Sequence, residues 1–138
     1  MSDRSTRLSQ MIFVVDDDAS VRTALERLLR AAGWSVRTFA SAEEFLQQDV
    51  DLGVGCLIAD VHLGRMNGLE LKSTLNGRAA KVPVILTSGV DDVALEDEAH
   101  RVGAIAFFRK PFDVGALLDS IRDSMEERRP SEFEQPTN

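Results

Sequence analysis

The chain is almost without cysteine. Its one such residue, Cys56, excludes an internal disulfide and a cysteine-based zinc site. Its place inside an apolar run predicts a buried small side chain rather than a reactive thiol. Basic residues are also scarce: 16 Lys and Arg stand against 23 Asp and Glu, a net charge of −7. Binding to nucleic acid needs clustered Lys and Arg, so that deficit argues against nucleic acid as a direct partner. No apolar stretch approaches the length of a membrane span, and the polar opening MSDRSTRLSQ has no signal-peptide core. No membrane partner is expected, and the cytoplasm is the default location. Internal repeats and low-complexity segments are absent too. What is present, 138 residues with 43% hydrophobic and 28% charged, suits one soluble globular domain with its own core.

The chain is organised around Met11-Ile12-Phe13-Val14-Val15-Asp16-Asp17-Asp18. Five apolar residues run into three carboxylates. A short apolar, β-branched run reads as a strand buried on both faces, and the acids stand at its C-terminal end. Three adjacent negative charges suit a hard cation such as Mg²⁺, unless one Asp simply caps the following helix.

After the acids, 19–32 reads as a helix with Val21, Leu25, Leu28 and Leu29 on one face and Gly33 as its stop. The segment 34–39 alternates as a strand. Ser41-Ala42-Glu43-Glu44 has capping-box spacing and opens a helix through Gln48, followed by a loop over 49–55. A second buried strand, 56–59, ends in Asp60. The loop 61–67 carries Gly64, and a helix over 68–75 follows. The strand 82–87 ends in Ser88-Gly89. The segment 91–102 reads as an acidic, weakly amphipathic helix, loosely held. A strand over 104–108 leads to Arg109-Lys110-Pro111-Phe112. The last helix carries an apolar stripe of Val114, Leu117, Leu118, Ile121 and Met125 behind an Asp113 cap. Residues 1–10 read as a tail, 11–126 as the domain and 127–138 as a polar tail.

Strand and helix alternate five times. That rhythm predicts the α/β class: a (βα)5 parallel sheet with helices on both faces and right-handed crossovers. Asp16 and Asp17, Asp60, Ser88 and Lys110 each follow within two residues of a strand's last apolar residue. A parallel sheet gathers those ends on one edge, where open α/β sheets bind their ligands. A phosphoryl group arriving there would meet a metal held by the acids, the Lys110 charge and the Ser88 hydroxyl. Asp60 stands alone after its strand and is the better nucleophile for an aspartyl phosphate; Asp16 and Asp17, as a pair, suit the metal. Plainer readings stand beside these. Asp18 fits a helix N-cap better than a third ligand, Ser88 could be a capping hydroxyl, and His62 and His100 read as surface residues. Trp34 reads as packing, and one of Phe107 and Phe108 as core.

The motifs VVDD (14–17), LIAD (57–60) followed by GLEL (68–71), PVILTSG (83–89) and FFRKPF (107–112) stand in the order and spacing of a known family. On them the chain resembles a receiver domain of two-component response regulators, most closely the FixJ-like branch. The resemblance covers about residues 11–126 and implies a flavodoxin-like, doubly wound five-stranded sheet in the order 2-1-3-4-5. It implies that Asp17 ligates Mg²⁺ (or Mn²⁺) directly and Asp16 through water, while Asp60 accepts the phosphoryl group and touches the metal. The backbone carbonyl of His62 completes the protein ligands. Lys110 would contact the phosphate ahead of a cis Pro111. Ser88, with Thr87 as the fallback, is the switch hydroxyl, and Phe107 the aromatic switch. Gly64, where many relatives carry proline, implies a more mobile loop, and Phe107 lacks a tyrosine's hydroxyl.

The implied function is regulatory, not enzymatic. The domain accepts a phosphoryl group from a sensor histidine kinase or small phosphodonor and assists its own phosphorylation and dephosphorylation. It then reshapes the face made by the fourth helix, fifth strand and fifth helix. The partner downstream is another protein or an output domain, and a homodimer formed on phosphorylation is left open. No output domain follows residue 129, which fits a stand-alone regulator, a phosphate shuttle or a shortened chain. Two rivals remain. Asp16-x-Asp18-x-Ser20 fits the opening of haloacid-dehalogenase-type phosphatases with Asp16 as nucleophile, and a degenerate receiver would serve only as a protein-binding module.

Overall fold

Strand β1 (Met11–Val15) lies between two neighbours, which is why its residues read as an unbroken apolar run. On one side it pairs in parallel with β2 (Ser35–Phe39), on the other with β3 (Gly55–Asp60). Strand β4 (Val84–Ser88) joins β3, and β5 (Ala106–Arg109) closes the far edge. The order is β2-β1-β3-β4-β5 with every pairing parallel, the doubly wound sheet expected. The computed structural model describes residues 11–48, 55–78, 81–89 and 93–128. The expectations for 1–10, for most of the 49–55 loop, for Asp91 and Asp92, and for the chain from 129 on lie outside these residues.

Period-two alternation sends successive side chains to opposite layers. Phe13, Val15, Leu57, Ala59, Val84 and Leu86 face helices α2 (Ala42–Leu46), α3 (Gly68–Gly77) and α4 (Val93–Arg101). Ile12, Val14, Cys56, Ile58 and Ile85 face α1 (Ala19–Ala31) and α5 (Val114–Arg128). The buried Cys56 fits its reading as a small core residue, and Trp34 packs against the second layer. At five residues α2 is far too short to hold on helix propensity, so packing must hold it. Phe45 sits edge-on to Phe13 and Phe39 at centroid distances of 5.5 and 5.3 Å. Burying one such ring stabilises by about 1.5–3 kcal/mol.

The caps set the helix ends. Asp18 is the N-cap of α1, and Ser41 the N-cap of α2, with Glu44 accepting from the Ala40 amide at 2.8 Å. Asn67 and Glu70 form a reciprocal capping box at the start of α3. Some expected boundaries move. β5 begins two residues late because residues 102–104 are taken up in the C-terminal cap of α4, where Gly103 adopts φ 93° and the Ala104 amide donates to Ala99. α5 runs to Arg128, two residues past the expected domain end. β5 is an edge strand, so Phe107 and Phe108 are both half-buried, one on each face, rather than one core and one surface. Among the described residues no helix is long and apolar enough to cross a membrane.

Candidate functional site

The C-terminal ends of β1, β3, β4 and β5 share one rim. Asp16 directly follows β1 and is 2% exposed, whereas Asp60 ends β3 at 6%. Lys110, one residue past β5, extends its ammonium between them. Nζ donates to Asp16 Oδ2 at 2.9 Å and to Asp60 Oδ2 in a still closer contact. The Lys110 amide donates to the Ser88 carbonyl at 2.8 Å, tying its backbone to the end of β4, and the Lys110–Pro111 peptide is cis.

Every polar atom of Asp16 is bound. Its amide donates to Phe39 O (3.1 Å), Oδ1 accepts from the Asp18 amide (3.0 Å), Oδ2 from Lys110, and its carbonyl from Arg22 Nη1 (2.8 Å). Asp60 Oδ1 accepts from the His62 amide at 2.8 Å. Burial nevertheless pushes the Asp60 carboxyl above the ordinary aspartate range. The bonds from Lys110 and His62 oppose that rise, and the charge of Asp16 adds to it. Lys110 is raised as well. Desolvation is the largest single influence and pulls it down, but bonds and charge from Asp60 and Asp16 together outweigh it. Two carboxylates share one ammonium, so the rim keeps a net negative charge.

That residual negative charge, on oxygen-only donors, fits a hard divalent cation. Of the expected ligands, Asp16 and Asp60 are brought together at the rim. Asp17 is exposed, and among the described residues no three His, Cys, Asp or Glu side chains form a group that could hold a metal ion. The ammonium of Lys110 bridges Asp16 and Asp60 instead. His62 is exposed and meets the site through its backbone, so its side chain is a surface residue as expected.

Both candidate hydroxyls are buried. Register sets Thr87 opposite Asp60 and Phe108, and Ser88 opposite Arg109. Ser88 alternates with Leu86, the partner of Phe107, so Ser88 and Phe107 share a face of the sheet. Phe107 itself is half-buried against the first layer. Gly64 adopts φ 79°, a left-handed conformation that proline cannot take, so the departure at this position sets the loop's shape.

Asp18 is a cap and nothing more. It accepts from the Ser20 amide (2.9 Å) and hydroxyl (2.7 Å), and these bonds hold its carboxyl below the usual range.

One contributor went unread in the sequence, and another was read only as part of a motif. Arg22 reaches back one and a half turns to the Asp16 carbonyl, and nothing in its spacing distinguishes it from a surface arginine. Gly68 is the other. A methyl there would stand 2.5 Å from the Asp60 carbonyl oxygen, and the Gly68 amide donates to Val61 O at 3.0 Å. A glycine in the first turn of a helix, where propensity disfavours it, was the available signal. Gly68→Ala is expected to lose about 1–3 kcal/mol in urea unfolding, the range for overpacking against a backbone that cannot yield. Gly77→Ala, where nothing lies within 4 Å of the new methyl, is the control and should be neutral or better. Equal midpoints for Gly68→Ala and wild type would rule out the close approach as a constraint.

Comparison with known proteins agrees with this architecture. The response regulator receiver domain family matches residues 12–122. The chain is 37% identical over 125 residues to the transcriptional regulatory protein TdiR of Thauera aromatica, covering 91% of this chain and 55% of that protein. It is 41% identical over 114 residues to the transcriptional regulatory protein FixJ of Azorhizobium caulinodans, covering 83% and 54%. The chain thus spans about half the length of these relatives. Among solved structures, the crystal structure of FixJ-N superposes with a TM-score of 0.79 at 32% identity, covering 85% of this chain and 94% of that one. A Vibrio cholerae chemotaxis protein, at 24% identity and a TM-score of 0.71, shares the fold. The rim geometry and the family match lead to one assignment: the chain belongs to the response regulator receiver domain family, in its FixJ-like branch.

Proposed function

We propose that Asp60 is the phosphoryl acceptor of a two-component signalling switch. The observation that carries this reading is the ammonium of Lys110 shared between Asp16 and Asp60, joining groups 94 and 50 residues apart in the chain. An Asp60 carboxylate oxygen attacks phosphorus, forming an acyl phosphate as the bond to the donor's imidazole or carboxylate breaks. Lys110 would neutralise the incoming phosphoryl oxygens, and the His62 amide holds the other Asp60 oxygen in place. Asp16, Asp17, Asp60 and the His62 carbonyl would hold Mg²⁺ or Mn²⁺. That ion, when bound, supplies charge neutralisation at the phosphoryl oxygens.

The new charge at Asp60 draws the Ser88 hydroxyl towards it, and the space it leaves on the shared face lets Phe107 turn inward. The face of α4, β5 and α5 changes shape in response. α4 has Ala99 as its one fully buried residue and is suited to move. The donor is a sensor histidine kinase or a small phosphodonor in the cytoplasm. The relatives' description as transcriptional regulatory proteins suggests an output partner or segment beyond the region matched, with dimerisation on phosphorylation as one route.

Incubation with acetyl phosphate and Mg²⁺ is the direct test. Intact-mass spectrometry should show one phosphoryl adduct, lost on treatment with hydroxylamine and absent when EDTA is added. No adduct at saturating donor and Mg²⁺ would overturn the reading in favour of a protein-binding module.

A further inference from the structure

Helix α3 carries a side chain for which phosphoryl chemistry has no use. Lys72 is 9% exposed and lies with Gly68, Leu71 and Leu75 on the buried stripe of α3. Among the described residues it meets no carboxylate, and burial pulls it below the ordinary lysine range. Holding a part-buried ammonium away from water costs stability that its hydrogen bond must offset. Its bond goes to Asn76 Oδ1, one turn on, at 2.6 Å. An ammonium can only donate, so that contact turns the carboxamide oxygen inward and the Nδ2 outward. Nδ2 then donates to the Val102 carbonyl at 3.0 Å, just past the end of α4. The Lys72 stem passes beneath Gly103, with Nζ 3.9 Å from where a methyl on that residue would stand. A cation here also suits the carbonyl end of α4.

The other end of α3 touches the acceptor. Gly68 is seated against the Asp60 backbone and bonded to Val61. A single ten-residue helix therefore joins the end of β3 to the C-terminal turn of α4. Along its length α4 is held by the buried Ala99, by the half-buried Leu95 against the first layer and by Glu96, 3.6 Å from Arg109 of β5, so its C-terminal end depends on contacts of its own.

We infer that Lys72, Asn76 and the Val102 carbonyl form a strap that clamps the C-terminal end of α4 in the unphosphorylated chain and couples it, through α3, to the state of Asp60. This route is separate from Ser88 and Phe107, and it rests on Asp60 being the acceptor. Lys72 and Asn76 are positioning residues that act through α4.

The test is hydrogen exchange of the Val102, Gly103 and Ala104 amides, which close the α4 cap on Glu98, His100 and Ala99. It is run on wild type, Lys72→Met and Asn76→Ala, with and without acetyl phosphate and Mg²⁺. Asn76 is exposed, so Asn76→Ala keeps the test alive even if Lys72→Met does not fold. Before phosphorylation both variants should exchange about two- to tenfold faster than wild type, the effect of one lost hydrogen bond. Phosphorylation should speed exchange in wild type and add less than about twofold in the variants, while intact mass shows Asp60 labelled equally in all three. Unphosphorylated variants exchanging at the wild-type rate would overturn the clamp. A phosphorylation response that is absent in wild type, or unchanged in the variants, would overturn the coupling. Wild type failing to take a phosphoryl group sinks the acceptor reading instead, and the unphosphorylated comparison still decides the clamp.

Discussion

Asp60→Asn is expected to cut phosphoryl incorporation from acetyl phosphate by more than about a hundredfold, because an amide is no nucleophile and the covalent step has no substitute. The fold should survive. The amide oxygen can still accept from the His62 amide, and Lys110 keeps Asp16 as its partner. The stability sign follows from the Asp60 carboxyl, which burial holds above its unfolded range. An acid with a raised folded pKa is better tolerated protonated, so the native chain loses stability as pH rises through that range. Asparagine removes this penalty, and the urea midpoint at neutral pH should be unchanged or higher. In wild type the rate of incorporation should fall as pH drops, from a higher pH than an ordinary aspartate would give, because only the ionised form attacks. Mass spectrometry of the adduct and urea titration read the two effects separately. If Asp60→Asn is labelled like wild type, the acceptor is another carboxylate on the rim, with Asp16 the first to examine.

The parts of this molecule legible in its sequence are those that depend on one strand at a time. The apolar run of 11–15 announces a strand covered on both faces, and β1 is central. Acids directly after such runs must stand on the rim once the strands are parallel, so Asp16, Asp60 and Lys110 could be gathered from spacing alone. What depends on how elements meet was harder to read. Whether Thr87 or Ser88 shares a face with Phe107 is a matter of register between β4 and β5. The start of β5 could not be placed without knowing that residues 102–104 cap α4. Lys72 fell on the i, i+3, i+4, i+7 stripe of 68, 71, 72 and 75, and a lysine inside an apolar pattern was the clue to its burial. The bridge itself was invisible. Spacing brings Lys110 to the rim of the acids, but that its ammonium is shared between Asp16 and Asp60 depends on how the ends of β1, β3 and β5 meet.

Lys110→Met should be the most destabilising change at the rim. The variant keeps the length of the side chain but leaves Asp16 and Asp60, both nearly inaccessible to solvent, facing each other without a counter-charge. Removing one partner of a buried ion pair typically costs several kcal/mol; here each acid keeps a backbone amide donor, from Asp18 and His62, so about 2–4 kcal/mol at neutral pH is expected. The pH dependence has a definite direction. Lys110 is among the influences that lower the Asp60 carboxyl, so without it that group is held still further above its unfolded range. The gap in stability between wild type and variant should therefore be small in acid and open as pH rises from the ordinary aspartate range towards neutrality. At alkaline pH it should narrow again. The Lys110 ammonium has a raised folded pKa, and its contribution is lost as pH rises through it. A divalent cation gives the second signature. With the ammonium gone, Mg²⁺ has no competitor for the two acids and should raise the variant's urea midpoint more than that of wild type. Phosphoryl incorporation at saturating Mg²⁺ should still fall about 10–100-fold, the scale of losing one charged stabiliser of a developing anion. A variant as stable as wild type at neutral pH, with no extra response to Mg²⁺, would mean that the shared ammonium contributes nothing to holding the acids together.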